Sequence, residues 1–227
     1  MEEICRLLQP GSYANETKSQ VDIKQHLLYL NLEGNDITGD IIHKTCLLSK
    51  YDCPLQYLNL SSNPLSKVGQ QNMAELVLQN QTLQHIFLNA CSFELTPLVQ
   101  FCSYLYENQS LITVAIDRPI LTKAREGEVI DHMSRIVLRH PCLQSLSLKY
   151  HALTDREIRV LAESLNATQQ LVSLNLECNN IGVAGAEVLA SNLLINHHRC
   201  IQYLGLAYNL VGDDGAIALA EVSIASI

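Results

Sequence analysis

One short segment of the chain carries side chains of the types that hold metal ions. His197 and His198 are followed by Cys200, and imidazole nitrogens and thiolates are common zinc ligands. A structural zinc site usually needs four such ligands in two pairs, and the sequence has no second pair at a matching spacing. The segment is more typical of a solvated turn between a helix and a strand. We therefore predict no metal site and no cofactor.

The sequence also lacks the short motifs of common enzymes. It contains no G-x-x-x-x-G-K-S/T phosphate-binding loop, no H-E-x-x-H zinc motif and no G-x-S-x-G nucleophile motif. The adjacent carboxylates of Asp213 and Asp214 precede a predicted helix, where they suit its positive end and need no catalytic role. The sequence therefore predicts a protein without catalytic residues, which is not an enzyme.

A repeated phrase, L-x-x-L-x-L-x-x-N, dominates the sequence instead. The steps between the first residues of its copies are 28, 28, 28, 32, 28 and 30 residues. Recurrence at such a period is the sequence signature of a repeat architecture. The copies begin at Leu27, Leu55, Leu83, Leu111, Leu143, Leu171 and Ile201.

Each copy of the phrase predicts a short strand followed by a turn and a helix. Leu30 and Leu32 alternate with polar residues, as in a half-buried strand. We expect the Asn that ends the phrase to be buried, with its amide bonded to the backbone. Apolar residues at helical spacing follow, and Thr154 with Glu157 predicts a capping box. Four asparagines near helix ends are expected to adopt the left-handed backbone conformation: Asn80, Asn108, Asn166 and Asn196.

The units predict an α/β solenoid of about seven repeats, a curved horseshoe with parallel strands on its concave face and helices on its convex face. No unit can bury its own leucines, so the stacking of neighbours must supply the core. We assign residues 27–227 to this repeat domain, with an incomplete last repeat, and residues 1–26 to an N-terminal partial repeat and linker. We expect either a fragment or variant of a longer protein, or ends that a partner covers.

The tail of the unit, N-x-I/L-x-x-x-G-A-x-x-L-A, carries a resemblance to a known family. Residues 179–190 match this tail most fully, and residues 209–220 match it again. With its 28-residue helix-bearing unit, the chain resembles the ribonuclease-inhibitor-type leucine-rich repeat proteins over about residues 27–222. Related intracellular proteins bind ribonucleases, activate the GTPase Ran, cap actin filaments, sense danger signals or build axonemal complexes. The resemblance therefore implies protein binding on the repeat surface, but the fold alone does not choose among these roles.

Three consecutive repeats depart from the phrase. Cys91, Pro119 and His151 stand where Asn is expected. Pro119 has a fixed φ and no N–H, so we expect its turn to differ from the others, whereas His151 is interpreted as a hydrogen-bonding substitute for Asn. The long fourth repeat also contains the polar loop 122–128, which is either a tolerated insertion or a docking loop.

Composition narrows the classes of partner. The 227 residues are 48% hydrophobic and carry a formal net charge of −8, which argues against nucleic-acid binding and favours basic or neutral protein partners. No stretch approaches the roughly 18 apolar residues of a membrane span, and the acidic N-terminal residues are not typical of a signal peptide. The eight cysteines form no C-x-x-C pair, so we expect buried, reduced thiols in an intracellular protein.

These observations predict a non-catalytic protein–protein interaction scaffold. We expect a subunit of a larger intracellular hetero-complex, in the cytoplasm, in a ciliary axoneme or in the nucleus or nucleolus, that binds through its strand face, its edge loops or its helices. The alternatives are a regulator of a small GTPase, for which Arg118 stands near the active edge, and an inhibitor of a basic enzyme.

Aromatic residues recur at positions predicted to point outward from the strands, with charged residues beside them. Such aromatics are enriched at binding hot spots, although isolated strand aromatics also simply suit β geometry. We predict that the aromatic residues contact the partner and that the charged ones set its orientation. The predicted partner-binding residues are Tyr29, Glu33, Tyr57, Asn59, His85, Phe87, Asp117, Arg118, Lys149, Tyr150, Glu177, Tyr203 and Tyr208.

Overall fold

Strands and helices alternate along the chain in the computed structural model, which describes residues 27–40, 54–121, 126–195 and 200–224. The strands are β1 (Tyr29–Asn31), β2 (Tyr57–Asn59), β3 (His85–Phe87), β4 (Thr113–Ala115), β5 (Ser145–Ser147), β6 (Ser173–Asn175) and β7 (Tyr203–Gly205). The helices are α1 (Lys67–Gln79), α2 (Leu95–Glu107), α3 (Glu126–Arg139), α4 (Asp155–Leu165), α5 (Val183–Ile195) and α6 (Gly212–Ile224). The assigned N-terminal segment 1–26 lies outside the described residues.

The seven strands form one parallel sheet in the order of the sequence. Equivalent residues of successive repeats lie opposite each other, so that Tyr29 pairs with Tyr57 and Tyr57 with His85. The same register continues through the longer fourth repeat, where Thr113 pairs with Ser145. The predicted parallel strands and their positions in the phrase are therefore confirmed.

The middle residue of each strand points into the core. Leu58, Leu146 and Leu174 are fully buried, and they belong to one apolar cluster with helix residues such as Met73 and Phe101. Because side chains alternate along a strand, the first and third residues of each strand point the other way. These outward residues form a surface that we call the strand face, and the helices pack on its opposite side.

Buried asparagines tie neighbouring repeats together, as the phrase predicts. The amide nitrogen of Asn63 donates to the carbonyl oxygens of Leu32 and Leu60 at 2.9 and 2.7 Å. Its amide oxygen accepts from the backbone N–H groups of Asn35 and Ile37, both at 2.9 Å. One side chain therefore satisfies buried backbone groups of two repeats that no strand or helix pairs.

Three repeats lack this asparagine, and in two of them another side chain bonds the backbone of the preceding repeat. The thiol of Cys91 donates to the carbonyl oxygen of Leu60 at 3.1 Å, and Nε2 of His151 bonds the carbonyl oxygen of Ile116 at 2.7 Å. His151 is thus confirmed as a hydrogen-bonding substitute. Pro119 carries no side-chain donor, so it interrupts this series of hydrogen bonds.

The expectation that the turn at Pro119 differs from the others is confirmed only in part. The residue before it, Arg118, has a φ of +56°, and the corresponding residues Tyr150 and Cys178 have φ values of +59° and +56°. The backbone N–H of Ile120 also donates to the carbonyl oxygen of Phe93 at 2.7 Å. The turn therefore resembles that of the sixth repeat, in which the N–H of Asn180 donates to the carbonyl oxygen of Leu153. It lacks the second left-handed residue of the third and fifth repeats, Ser92 and Ala152, whose φ values are +60° and +54°.

The buried imidazole of His151 predicts a dependence of stability on pH. Burial lowers the pKa of His151 from 6.5 to about 4. Between these values the unfolded chain binds a proton that the folded chain excludes, so stability is complete above pH 6.5 and falls as the pH drops towards 4. His151→Asn should keep the hydrogen bond and remove about 3 kcal/mol of this loss, measured as the difference between urea melts of the two proteins at pH 7 and pH 4. Equal losses in both proteins would contradict the assignment.

Helix caps confirm one prediction and correct another. Thr154 and Glu157 form the expected capping box at the start of α4. The asparagines at the helix ends are not left-handed: Asn80 and Asn108 are extended, with φ of −80° and −72°, and Asn166 is right-handed helical. The amides of Asn80 and Asn108 bond backbone groups instead, and that of Asn108 donates to the carbonyl oxygen of Val77 at 2.7 Å. The amide of Asn166 donates to the side chain of Asn192. Asn196 lies outside the described residues.

Two further expectations hold only in part. Of the described cysteines, Cys91 and Cys102 are buried, whereas Cys142, Cys178 and Cys200 are half-buried; all five are free thiols. The predicted loop 122–128 ends earlier, because α3 begins at Glu126, and residues 122–125 are outside the described residues.

Candidate functional site

The predicted binding residues divide between two parallel tracks at the strand side of the molecule. One track is the strand face itself, with Tyr29, Tyr57, Asn59, His85, Phe87 and Tyr203. The other runs just after the strand ends, with Glu33, Asp117, Arg118, Lys149, Tyr150, Glu177 and Tyr208. Tyr150 and Tyr208 were predicted to be outward strand residues, and this prediction is wrong. They are turn residues with φ of +59° and +58°. The phrase places them one position before its last residue, where every repeat turns.

Aromatic rings on β1 to β3 contact one another and form what we call the aromatic cluster, made of Tyr29, Tyr57, His85 and Phe87. The rings of Tyr29 and Tyr57 are stacked, with centroids 3.8 Å apart and planes at 13°. Those of Tyr57 and Phe87 lie 5.0 Å apart at 36°. Tyr29 remains 57% exposed, so the cluster offers an apolar surface that its own packing holds in place.

Polar groups around the aromatic cluster are engaged within the chain. Burial, with a contribution from the Tyr29 hydroxyl, raises the pKa of Tyr57 to about 12, so its phenol stays protonated. Nδ1 of His85 bonds the hydroxyl of Thr113 at 3.0 Å. The amide of Asn59 donates to the carboxylate of Glu33 at 3.1 Å, and Asn59 is itself buried. Asn59 therefore positions Glu33 and offers little surface of its own.

Three charged side chains of the second track lie just after the ends of β4, β5 and β6. We call them the charged row: Asp117, Lys149 and Glu177. The ammonium of Lys149 lies 2.8 Å from a carboxylate oxygen of Glu177. Asp117 accepts from the hydroxyl of Ser147 at 2.7 Å and from the backbone N–H of Lys149 at 2.9 Å. The hydroxyl of Tyr203 donates to Glu177 at 3.4 Å. The row presents fixed charges of alternating sign.

The hydrogen bond between Lys149 and Glu177 keeps both of these side chains ionised. The hydrogen bond from Lys149 lowers the pKa of Glu177, and the same bond raises the pKa of Lys149. Partial burial raises the pKa of Asp117, an effect that Ser147 and Lys149 oppose. Such charges fix the orientation of a charged partner more than they add to its affinity.

The sequence did not lead us to predict the part of the strand face that lies between the aromatic cluster and Tyr203. The outward residues of the middle strands are small, so a partner backbone can approach the sheet closely there. The alternation of the phrase contains this signal, since its outward positions lose their large side chains after the third copy. These small residues are Thr113, Ala115, Ser145, Ser147 and Ser173, and Gly205 follows at the end of β7.

The turn track carries a stack of its own. The guanidinium carbon of Arg118 lies 4.3 Å from the ring centroid of Tyr150. Beyond Tyr150, an open notch of about 400 Å³ is lined by Tyr150, Cys178, Asn179, Asn180 and Tyr208. Arg118 is thus held against an aromatic face and does not project freely.

A groove also lies on the helix side, among the residues that the structure describes. It lies between α2 and α3, measures about 560 Å³, and includes Tyr106, Arg135, Leu138 and Arg139 in its lining. Tyr106 and Leu138 are 39% and 38% exposed. The groove lacks the connected hydrogen bonds and ring contacts of the strand face, which is therefore the better candidate.

The described residues offer stacking faces, hydrogen bonds and fixed charges. Among them no group of three or more His, Cys, Asp or Glu side chains is placed to hold a metal ion, and His197 and His198 lie outside this set. Within the same ranges, none of the helices combines the length and the apolar character that crossing a membrane requires.

Family models match the repeats directly. The model described as Leucine Rich repeat matches residues 24–42, 169–190 and 197–220, and a second, described as Leucine Rich Repeat, matches residues 54–76. These segments contain the first, second, sixth and seventh copies of the phrase.

Similar curated proteins are much longer than this chain. NACHT, LRR and PYD domains-containing protein 12 of Mus musculus is 26% identical over 218 residues, which cover 95% of this chain and 20% of that protein. NACHT, LRR and PYD domains-containing protein 14 of Homo sapiens is 26% identical, over 87% of this chain and 18% of that protein. Protein CARMIL of Dictyostelium discoideum is 25% identical, over 76% and 16%. The chain thus spans about a fifth of the length of these relatives.

A solved structure shares the fold. Internalin C2 of Listeria monocytogenes superposes with a TM-score of 0.50 at 23% identity, covering 86% of this chain and 67% of that one. Strand order, register, buried phrase asparagines and family matches all agree. The repeats of this chain are leucine-rich repeats, and the chain folds as a leucine-rich repeat solenoid.

Proposed function

We propose that the chain binds a protein partner through its strand face and the charged row beside it, and that it has no catalytic role. The observation that carries this proposal is the pairing of an exposed aromatic cluster with a fixed charged row on one surface. Aromatic residues dominate binding energy at many interfaces, while the charged row supplies orientation. The small residues between them let a partner segment lie close to the sheet.

We further propose that this partner belongs to a larger intracellular assembly, so that the chain acts as a subunit of a hetero-complex. A solenoid offers an extended surface rather than an enclosed pocket, which suits a scaffold. The net charge of −8 supports a partner with a basic or neutral surface. A cytoplasmic, ciliary or nuclear setting is part of the same proposal.

Two finer relationships are also proposals. The tail motif supports the ribonuclease-inhibitor type of leucine-rich repeat, and the long fourth repeat with Asp117, Arg118 and Pro119 makes the chain similar to leucine-rich repeat-containing protein 34. The alternative role as a GTPase regulator gains no support from Arg118, because its guanidinium is stacked on Tyr150. Inhibition of a basic enzyme stays compatible with the charge of the chain.

Capture from a cell extract tests the strand-face proposal. The wild-type chain is compared with the double variant Tyr57→Ala, Phe87→Ala, which removes the centre of the aromatic cluster. We expect the variant to recover at least about tenfold less of the specific partner, because two central aromatic contacts are lost. Quantitative mass spectrometry of the captured proteins measures this ratio.

The matched control is the double variant Tyr106→Ala, Leu138→Ala on the helix side, which removes a similar area of exposed apolar surface. It should capture the partner as well as the wild-type chain does. Equal capture by the strand-face variant, or loss of capture only with the helix-side variant, contradicts the proposal.

A further inference from the structure

The turn track contains a column of side chains with one short member. The residue before the last position of the phrase is Arg118, Tyr150, Cys178 and Tyr208 in the last four repeats. All four have φ between +56° and +59°, so their side chains leave equivalent backbone positions. Successive members are one repeat apart.

The first two members show what one repeat step means for stacking. Arg118 and Tyr150 lie in neighbouring repeats, and the guanidinium carbon is 4.3 Å from the ring centroid. This distance is close to the roughly 4.8 Å that separates neighbouring strands, and it is within the range of a cation–π contact. Adjacent positions of the column are therefore spaced for a planar cation to pack on a tyrosine ring.

Cys178 leaves its place in the column largely empty. Its side chain is short, and the tyrosines on either side, Tyr150 and Tyr208, line one open notch of about 400 Å³ with Asn179 and Asn180. A flat group held above Cys178 would lie one repeat step from each ring, as Arg118 lies from Tyr150. We call this notch the tyrosine slot.

Charge selects which flat group the slot favours. The faces of two tyrosine rings attract cations, and a guanidinium is planar and more weakly hydrated than an ammonium group. The chain carries a net charge of −8, and the helix that follows Tyr208 begins with the exposed carboxylates Asp213 and Asp214. A neutral ring fits the space but lacks the charge that a cation–π contact requires.

We propose that the tyrosine slot binds an arginine side chain of a protein partner, with its guanidinium stacked between Tyr150 and Tyr208 above Cys178. The proposal rests on the proposed function only in that the partner is a protein. It places a specific contact on the turn track, outside the strand face.

Disulfide exchange at Cys178 tests the slot without a partner. The full chain is equilibrated with symmetrical disulfides of 2-guanidinoethanethiol, of its neutral urea analogue, or of a neutral benzyl thiol, in the presence of the corresponding free thiol. Peptide mass spectrometry then measures the occupancy of Cys178 and of two half-buried internal controls, Cys142 and Cys200. All three cysteines belong to the same chain, so its net charge affects them alike and cannot explain a difference between them.

We expect the ratio of guanidine to urea occupancy at Cys178 to exceed the ratio at both control cysteines by about fivefold, as two weak cation–π contacts imply. Tyr208→Leu should reduce this excess to about twofold, because one of the two contacts is lost, whereas Tyr106→Leu on the helix side should keep it. Tyr208 is 85% exposed, so its replacement does not endanger the fold.

Three results overturn the proposal. Equal ratios at all three cysteines, or a fivefold excess that is undiminished in Tyr208→Leu, show that the tyrosines do not form a cation slot. Equal capture of the benzyl and guanidine thiols at Cys178 shows an apolar notch without selectivity for arginine. None of these results bears on the strand-face proposal, because the strand-face variant changes only Tyr57 and Phe87.

Discussion

Replacing Asn179 by alanine should lower the free energy of unfolding by about 3–5 kcal/mol, since buried groups left without partners cost about 1–3 kcal/mol each. Its amide oxygen accepts from the backbone N–H groups of His151 and Leu153 at 2.9 and 3.1 Å. Its amide nitrogen donates to the carbonyl oxygens of Leu148 and Leu176 at 3.0 and 2.9 Å. The substitution leaves four buried backbone groups without a hydrogen-bond partner. Water that enters the space partly replaces the lost bonds, so the loss of stability is smaller than the sum of the four costs.

Urea unfolding followed by circular dichroism measures this loss, because the chain contains no tryptophan for fluorescence. The neighbouring variant Asn180→Ala is the control. Asn180 is exposed, so its replacement should change the free energy of unfolding by less than about 0.5 kcal/mol. Similar effects of the two substitutions would mean that the buried amide does not hold the repeats together.

Truncation of a strand leucine should have an effect of comparable size. Leu58 and Leu174 are fully buried at the middle of β2 and β6. Leu→Ala at either position should cost about 2–5 kcal/mol, because the change removes apolar contacts and leaves a cavity between the sheet and the helices. The same urea melts measure the cost for each variant.

Leu210 provides the matched control for these truncations. It is 69% exposed, so Leu210→Ala should cost less than about 0.5 kcal/mol. A loss below about 1 kcal/mol at both Leu58 and Leu174 would show that the inward and outward positions of the strands have been exchanged.

The phrase predicts the fold well because its period and its alternation have separate structural causes. The period sets which residues pair across the sheet, and Tyr29 does lie opposite Tyr57. Alternation within the phrase decides which leucines are buried, as Leu58 and Leu174 show. The hydrogen-bonding role of His151 could also be predicted, because its position in the phrase demands a donor.

The arrangement of the candidate site was harder to predict. Sequence spacing predicted that Tyr150 and Tyr208 lie on strands, but they lie in turns with a left-handed backbone. Glycine and asparagine usually occupy that conformation, so a tyrosine does not indicate it in the sequence. The contacts of Lys149 with Glu177 and of Arg118 with Tyr150 join residues of different repeats. Such contacts depend on rotamers and on the stagger of neighbouring repeats, which a one-dimensional phrase does not contain.

Hydroxyl-radical footprinting of the complex with the captured partner shows which surface of the solenoid the partner covers. Aromatic side chains are oxidised in proportion to their exposure, so the oxidation rates of Tyr29, Tyr57 and Phe87 report on the strand face, and that of Tyr106 reports on the helix side. The account predicts that the partner slows oxidation of the aromatic cluster and leaves the rate at Tyr106 unchanged. Protection of Tyr106 with unchanged oxidation of Tyr29, Tyr57 and Phe87 would contradict it.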